Sequence, residues 1–261
     1  MDEVSHHGSC LCGAVAFTAT GPLRAVTACH CTQCRKASGH YWATSSVPSD
    51  RFVLTRDQGL VWFRSSDHAE RGFCRGCGAS LFYKPDGEGR IAIAPGAFDG
   101  PTGLTIAKHI FTNEAGDYYA PTGAPPIPAE RPGTLSCGCL CGAVSFSLPG
   151  SGQVKEITAC HCTQCRKLSG YFSASFDAQE TDVDWHSLAH LSEYETPGGG
   201  RRGFCGVCGS SLYFRSSTGA FSVEAGAVNG PTGGQLREHI FVSDKGDYYP
   251  IDDGLPQHDG W

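Results

Sequence analysis

The chain has 261 residues, enough for one large domain or two of about 130 residues, and its 20 basic and 26 acidic residues give a formal net charge of −6. Neither half is basic and no apolar run approaches the roughly 18 residues that span a bilayer, which argues against a nucleic-acid surface and a membrane span. The first ten residues, MDEVSHHGSC, lack the basic and apolar regions of a secretory signal, so we expect a soluble protein of the cytoplasm.

Short apolar runs between turn residues dominate the chain. It contains 35 glycines and 15 prolines, and stretches with helical periodicity are rare. Runs rich in β-branched and aromatic residues are typical of strands. In chain order, the clearest runs of the first half are residues 14–20, 60–64, 80–84, 90–94 and 108–112. The pattern predicts a mainly β protein with many short strands, little helix and a modest core.

The chain contains the same sequence twice. The decapeptide TACHCTQCRK occupies residues 27–36 and returns at 158–167. Four further segments repeat in the same order: 8–17 with 137–146, 71–83 with 202–214, 96–103 with 226–233, and 108–119 with 238–249. A repeat of this length predicts two tandem domains, residues 1–122 and 135–261. The proline-rich stretch 123–134 between them is typical of an extended linker.

Four cysteines of each copy have the spacing of a closed metal site. A chain without an export signal is unlike the secreted proteins that keep disulfides, so metal binding is favoured. A C-x-C pair on extended backbone points both sulfurs to one side, and a C-x-x-C-G turn aims two more at the same ion. We expect two structural zinc sites. Their ligands are Cys10, Cys12, Cys74 and Cys77 in the first copy, and Cys139, Cys141, Cys205 and Cys208 in the second.

Three further cysteines of each copy lie in the hexapeptide CHCTQC. They are Cys29, Cys31 and Cys34 in the first copy, and Cys160, Cys162 and Cys165 in the second. Three thiolates leave the fourth position of a zinc tetrahedron open, as in catalytic sites. A closed site completed by His30 or His161 is the alternative, but a residue between two cysteines of an extended segment points the other way. We therefore favour open catalytic sites and expect up to four Zn²⁺ ions per chain, two in each copy.

Smaller signals surround these motifs. His109 and His239 lie in apolar strands and are expected to be hydrogen-bonded structural residues. Cys137 has no counterpart, because position 8 is glycine, and we expect a free thiol. The basic pairs 35–36 and 166–167 could steer an anionic thiol or form solvated surface.

Together the motifs resemble the glutathione-dependent formaldehyde-activating enzyme family, which also includes centromere protein V. The resemblance rests on GSCLCGAVAF, CHCTQCRKASG, FCRGCGASLF and the late HIF, and it covers nearly all of both copies. It implies a tandem pair of β-tent domains made of several small coiled antiparallel sheets, each with two zinc ions. It also implies that the four-cysteine sets hold the structural zinc and that the three-cysteine sets hold the zinc where chemistry occurs.

The family resemblance also implies an activity. This is the condensation of formaldehyde with glutathione to S-hydroxymethylglutathione, a carbon–sulfur lyase reaction, in which the thiol would bind the three-cysteine zinc. Two alternatives stay open: a non-catalytic zinc scaffold, and an enzyme of specialised metabolism acting on another carbonyl compound. The fused copies would form an intramolecular pseudo-dimer. Their loops 64–72 and 195–203 differ, which allows one copy to keep the substrate pocket, and the sequence does not decide which.

Overall fold

A computed structural model describes residues 4–122, 130, 132–150 and 156–260. Most of the predicted linker lies outside these ranges. Within them the chain is mainly β with two seven-residue helices, as the sequence predicts. No helix of the described ranges has the length and apolarity that crossing a bilayer needs.

The two copies have the same order of elements, except that the second copy has one additional strand at its end. The first contains β1 (Ser5–Ser9), β2 (Ala16–Thr20), β3 (Val26–Cys29), α1 (Thr32–Ser38), β4 (Trp42–Pro48), β5 (Phe52–Arg56), β6 (Leu60–Ser66), β7 (Ala69–Cys74), β8 (Ser80–Pro85), β9 (Arg90–Ile93) and β10 (Ile106–Ile110). The second contains β11 (Thr134–Gly138), β12 (Ser145–Pro149), β13 (Glu156–Cys160), α2 (Thr163–Ser169), β14 (Ser173–Ala178), β15 (Asp184–Ser187), β16 (Leu191–Glu195), β17 (Arg201–Cys205), β18 (Ser211–Arg215), β19 (Phe221–Glu224), β20 (Gln235–Ile240) and β21 (Gln257–His258).

Each copy combines a small sheet with a large one. The small sheets have the strand orders β1-β2-β5 and β11-β12-β15. The large sheets have the orders β10-β3-β4-β9-β8-β7-β6 and β16-β17-β18-β19-β14-β13-β20-β21. Most pairs are antiparallel, as expected, but β10 runs parallel to β3, and β20 runs parallel to both β13 and β21. Parallel neighbours need a long crossover, and the pairings of β10 with β3 and of β20 with β13 join the end of each copy to its start.

All five predicted strands of the first copy are present, with small differences at their ends. The predicted strand at 108–112 is shifted and becomes β10, which ends at Ile110. The following residue, Phe111, has a left-handed backbone (φ 54), which no strand residue adopts.

The CHCTQC motif is a strand end followed by a helix. Cys29 is the last residue of β3, and Cys31 is the N-cap of α1. Gly39 ends the helix with a left-handed backbone (φ 85), the conformation that favours glycine at this position. The second copy repeats this arrangement around α2.

The two copies pack closely against each other through these helices. The turn at 95–97 contacts α2, and the turn at 225–227 contacts α1. Gly96 N donates to Gly170 O at 2.8 Å, and a Cβ atom added to Gly96 would lie 2.2 Å from Arg166 O. Only glycine therefore permits this approach of the two backbones.

Aromatic rings fill the centre of the interface. Tyr41 lies 5.1 Å from Tyr171 and 5.5 Å from Phe172, measured between ring centres, and Phe172 also lies 4.8 Å from the ring of His40. Such pairs contribute about 0.5–1.5 kcal/mol each beyond the area that they bury. Each copy thus has its own apolar core, and a shared aromatic cluster joins the two cores.

The lysines of the two basic pairs are buried in this interface, so the expectation of a solvated or thiol-steering pair is wrong for them. Lys36 Nζ donates to Gly138 O at 2.8 Å and to Ala227 O at 3.1 Å in the other copy. Lys167 Nζ lies in the equivalent place, 2.8 Å from Ala97 O. Burial lowers the pKa of Lys36 to about 8.

Lys36→Ala should destabilise the contact between the copies. The change leaves two buried carbonyl oxygens, of Gly138 and Ala227, without their donor, which costs about 1–3 kcal/mol. Urea denaturation should show the lower free energy of unfolding. Lys84→Ala is the matched control, because its ammonium forms an exposed pair with Glu70 and such pairs contribute about 0–1 kcal/mol. Equal stability of the two variants would contradict the role of Lys36.

Candidate metal centres

The structure gathers the predicted cysteines into two sets of four and two sets of three. Within each set the sulfur atoms all lie within 4.8 Å of one another. The sets of four, called tetrads here, are Cys10, Cys12, Cys74 and Cys77, and Cys139, Cys141, Cys205 and Cys208. The sets of three, called triads here, are Cys29, Cys31 and Cys34, and Cys160, Cys162 and Cys165. All 15 cysteines of the chain are free of disulfide bonds.

Each tetrad joins two turns that are far apart in sequence. In the first copy, the turn between β1 and β2 contributes one pair of sulfurs and the turn between β7 and β8 contributes the other. The Sγ atoms of Cys10 and Cys12 are 3.5 Å apart, and those of Cys12 and Cys74 are 3.6 Å apart. A zinc–sulfur distance of about 2.3 Å gives edges of about 3.8 Å in a tetrahedron. The tetrad therefore has the donors and the size that fit zinc.

The second tetrad has the same geometry. Its Cys139 and Cys141 sulfurs are 3.6 Å apart, and those of Cys141 and Cys205 are 3.7 Å apart. Cys137 is fully buried and belongs to neither the tetrads nor the triads. Its Sγ atom has only a weak contact, 4.0 Å, with Leu135 O.

Two of the three cysteines in each triad are partly exposed, whereas three of the four cysteines in each tetrad are buried. Cys29 and Cys31 are partly exposed, whereas Cys34 lies in the first turn of α1 and is buried. Hydrogen bonds from Cys29 and then Cys34 lower the pKa of Cys31 to about 2. Equivalent bonds lower the pKa of Cys162 in the second copy to about 2. Each triad thus holds a thiolate that could bind a metal ion.

The histidine between the first two triad cysteines points away from the sulfurs. His30 is fully buried; its Nδ1 lies 2.8 Å from Tyr119 Oη and its Nε2 lies 2.9 Å from His109 Nδ1. His161 makes the same two contacts in the second copy, with Tyr249 and His239. Both ring nitrogens are therefore engaged, and neither histidine is placed to complete its triad.

An arginine contacts the last cysteine of each triad, and no sequence pattern had predicted this role; Arg71 is buried and Arg202 is partly exposed. Arg71 Nη2 donates to Cys34 Sγ at 3.3 Å, and Arg202 Nη2 donates to Cys165 Sγ at 3.5 Å. Burial acts to lower the pKa of Arg71, but the charge of Cys34 and the hydrogen bond to it more than offset this, and the pKa is raised. The sequence does contain one indication of this arginine. It lies in the repeated RGFC motif, three residues before a tetrad cysteine.

Comparison with known families identifies the domain. The sequence profile described as "Glutathione-dependent formaldehyde-activating enzyme" matches residues 5–114 and again residues 134–244. The chain belongs to this family. The two matched regions confirm the tandem duplication, and membership of the family supports an enzymatic role.

Two individual proteins are similar to parts of the chain. An uncharacterized lyase of Schizosaccharomyces pombe is 27% identical over 116 residues, which make up 44% of this chain and 83% of the yeast protein. The crystal structure of a Rhodobacter sphaeroides protein aligns with 40% of this chain and 98% of its own, with 20% identity and a TM-score of 0.33. The match to the yeast protein extends over roughly the length of one family domain.

Proposed function

We propose that the chain is a zinc-dependent enzyme of carbon–sulfur lyase type. It binds a thiol such as glutathione at a three-cysteine zinc site, and it adds this thiol to a small carbonyl compound such as formaldehyde or releases it from the adduct. Membership of the formaldehyde-activating family and the similarity to a yeast protein named as a lyase support this activity.

The contrast between the tetrads and the triads carries the proposal. A tetrad supplies all four ligands of a tetrahedral zinc, whereas a triad supplies three. Among the described residues, no fourth histidine, cysteine or carboxylate joins either triad. This difference favours a structural role for the tetrads and an exchangeable fourth ligand, supplied by a substrate, at the triads.

The residues of the triads and their arginines would divide the chemistry. The triads would hold zinc, which when bound would lower the pKa of a substrate thiol so that the thiol releases its proton to solvent. The thiolate sulfur would form a bond to the carbonyl carbon, the carbon–oxygen double bond would become single, and the resulting alkoxide would take a proton from solvent. Arg71 and Arg202, which contact the triads, would offset the negative charge of the thiolates. The reverse sequence releases the thiol.

We also propose boundaries for the two domains and a cellular location for the protein. We assign the two family domains to residues 1–122 and 135–261, with the linker at 123–134. We also propose a cytoplasmic location, because the clusters require reduced thiols and oxidising compartments favour disulfides.

Zinc K-edge X-ray absorption tests the proposal directly. The zinc-loaded chain should contain four zinc ions, and addition of glutathione should raise the mean number of sulfur ligands, because each triad gains one. S-Methylglutathione is the matched control, since it keeps the peptide but has no thiol. A protein with two zinc ions, or one whose spectrum ignores glutathione, would contradict thiol binding at the triads.

A further inference from the structure

The surroundings of the two triads differ at one strand position. Trp42 pairs with Cys29 in the first copy, whereas Ser173 pairs with Cys160 in the second. These positions lie directly across the strand pair from the first cysteine of each triad. A large ring thus faces one triad, and a small hydroxyl faces the other.

A second difference lies at the end of the neighbouring strand. Ala94 directly follows β9, and its counterpart Glu224 is the last residue of β19. The equivalence follows from the pairing, since Ile93 faces Ser45 and its counterpart Val223 faces Phe176. The second copy therefore has a carboxyl group where the first copy has a methyl group.

In the first copy, the arginine is buried without an acidic partner. Arg71 is 7% exposed, and its Nε and Nη1 atoms meet no acceptor among the described residues. Its Cζ atom lies between two rings, 5.5 Å from the centre of Trp42 and 5.3 Å from the centre of Tyr83. Because each unpaired buried donor costs about 1–3 kcal/mol, two on one guanidinium call for an acceptor. The rings hold the guanidinium in place beside Cys34.

In the second copy, a buried carboxyl group lies close to the triad, although it forms no direct ion pair with the arginine. Glu224 is 3% exposed, and its carboxyl accepts a hydrogen bond from Ser173 Oγ at 2.7 Å. Burial lowers the pKa of Arg202, but the charges of Cys165 and then Glu224 more than offset this and raise it. Burial raises the pKa of Glu224 to about 7, against the Ser173 hydrogen bond and the charge of Arg202. Arg202 is partly exposed and has one buried unpaired donor, Nε, whereas the buried Arg71 has two.

We propose that Arg71 forms a binding site for one negatively charged oxygen of a ligand beside the first triad, and that the negative charge of Glu224 closes the equivalent site in the second copy to such a ligand. The ligand class is a small oxyanion, such as the carboxylate of a thiol or carbonyl substrate, or the alkoxide of their adduct. Binding of an oxyanion at this site does not require turnover. A contribution of the site to catalysis rests on the proposed function. The two copies are then chemically unlike, and the first one is open to substrate.

Nuclear magnetic resonance with formate as the probe tests this site in the zinc-loaded full chain. Formate offers a carboxylate small enough for a buried position. In ¹⁵N-labelled protein, the side-chain Nε–H signal of Arg71 and the indole signal of Trp42 should shift saturably, and that of Arg202 should not. Loss of the relevant signal in Arg71→Lys and in Trp42→Phe assigns the first two resonances, and Arg202→Lys assigns the third. Chloride at equal ionic strength controls for nonspecific screening.

Exchanging the differing residues provides matched variants. Trp42→Ser combined with Ala94→Glu gives the first copy the pair found in the second, and it should abolish the formate response of Arg71. Glu224→Ala should do the opposite and make the Arg202 signal respond. Arg71→Lys keeps the charge but removes the planar donors, and formate binding, followed through Trp42, should weaken at least about fivefold, the loss of one hydrogen bond.

The formate experiments test the proposed site at Arg71 separately from the lyase activity. If Arg71 does not respond to formate, or if Arg202 responds equally in the unaltered chain, the proposed site is overturned. Should the double exchange misfold, the Glu224→Ala and Arg71→Lys results still decide it. Formate binding at Arg71 without any zinc response to glutathione would sustain this site and overturn the proposed function. The reverse combination would sustain the function and overturn the site.

Discussion

Chelation of the metal with EDTA, under reducing conditions, is expected to unfold both copies. Each tetrad connects turns more than sixty residues apart, since Cys12 and Cys74 are separated by 62 positions and Cys141 and Cys205 by 64. Binding of structural zinc by small domains contributes about 10–16 kcal/mol, whereas a whole domain is stable by about 5–15 kcal/mol. Circular dichroism should show loss of the β spectrum, and added zinc should restore it. EDTA saturated with calcium is the matched control.

Single substitutions locate this effect in the tetrads. Cys74→Ser should lower the zinc content by one ion and unfold the first copy, and Cys205→Ser should do the same to the second. Cys137→Ala should leave the zinc content unchanged, because this thiol lies outside every cluster. A chelated protein that keeps its spectrum and its unfolding midpoint would show that the apolar cores alone hold the fold.

The cysteine clusters could be predicted because their geometry is local. A C-x-C pair, a C-x-x-C turn and a C-x-C-x-x-C segment each bring sulfurs together through the backbone conformation of a few residues. Only the joining of Cys12 to Cys74 and of Cys141 to Cys205 required a long-range contact, and the four ligands that a structural zinc needs indicated it. Short runs of strand-forming residues predicted β8 and β9 for the same reason.

The contacts between the copies could not be predicted, because they depend on how distant segments pack. Lys36 was expected at the surface, yet it reaches carbonyl groups that lie 102 and 191 positions away. No pattern within the decapeptide distinguishes a lysine that caps carbonyls from a solvated one. The same holds for the surroundings of Glu224, whose carboxyl accepts a hydrogen bond from Ser173 on another strand.

The structure suggests a physical reason for fusing two copies. Helix α1 carries Cys34 toward its own triad and Lys36 toward the other copy, and α2 does the same with Cys165 and Lys167. Each helix therefore contributes to its own triad and is also held by the neighbouring copy. The position of each triad thus depends on the neighbouring copy. Tethering the two copies makes this contact intramolecular, with a high effective concentration.

Loss of both triads is expected to abolish the proposed lyase activity without unfolding the chain. Cys31→Ser combined with Cys162→Ser should reduce zinc from four ions to two, because the tetrads are untouched. The rate of thiol addition to formaldehyde should fall by more than about 10–100-fold. That is the cost when a metal site loses only a residue that supports one of its ligands. Activity assays, zinc analysis and circular dichroism of the same preparations check this. Full activity with two zinc ions would exclude the triads from the reaction.

The two single variants measure the share of each copy. Cys31→Ser should lose the larger share of activity, because the charge of Arg71 beside the first triad lacks the carboxyl that accompanies Arg202. An oxyanion-stabilising donor of this kind contributes about 10²–10³-fold to a rate. If Cys162→Ser instead loses the larger share, the second copy performs most of the reaction, and the charge of Arg71 does not decide which triad is active.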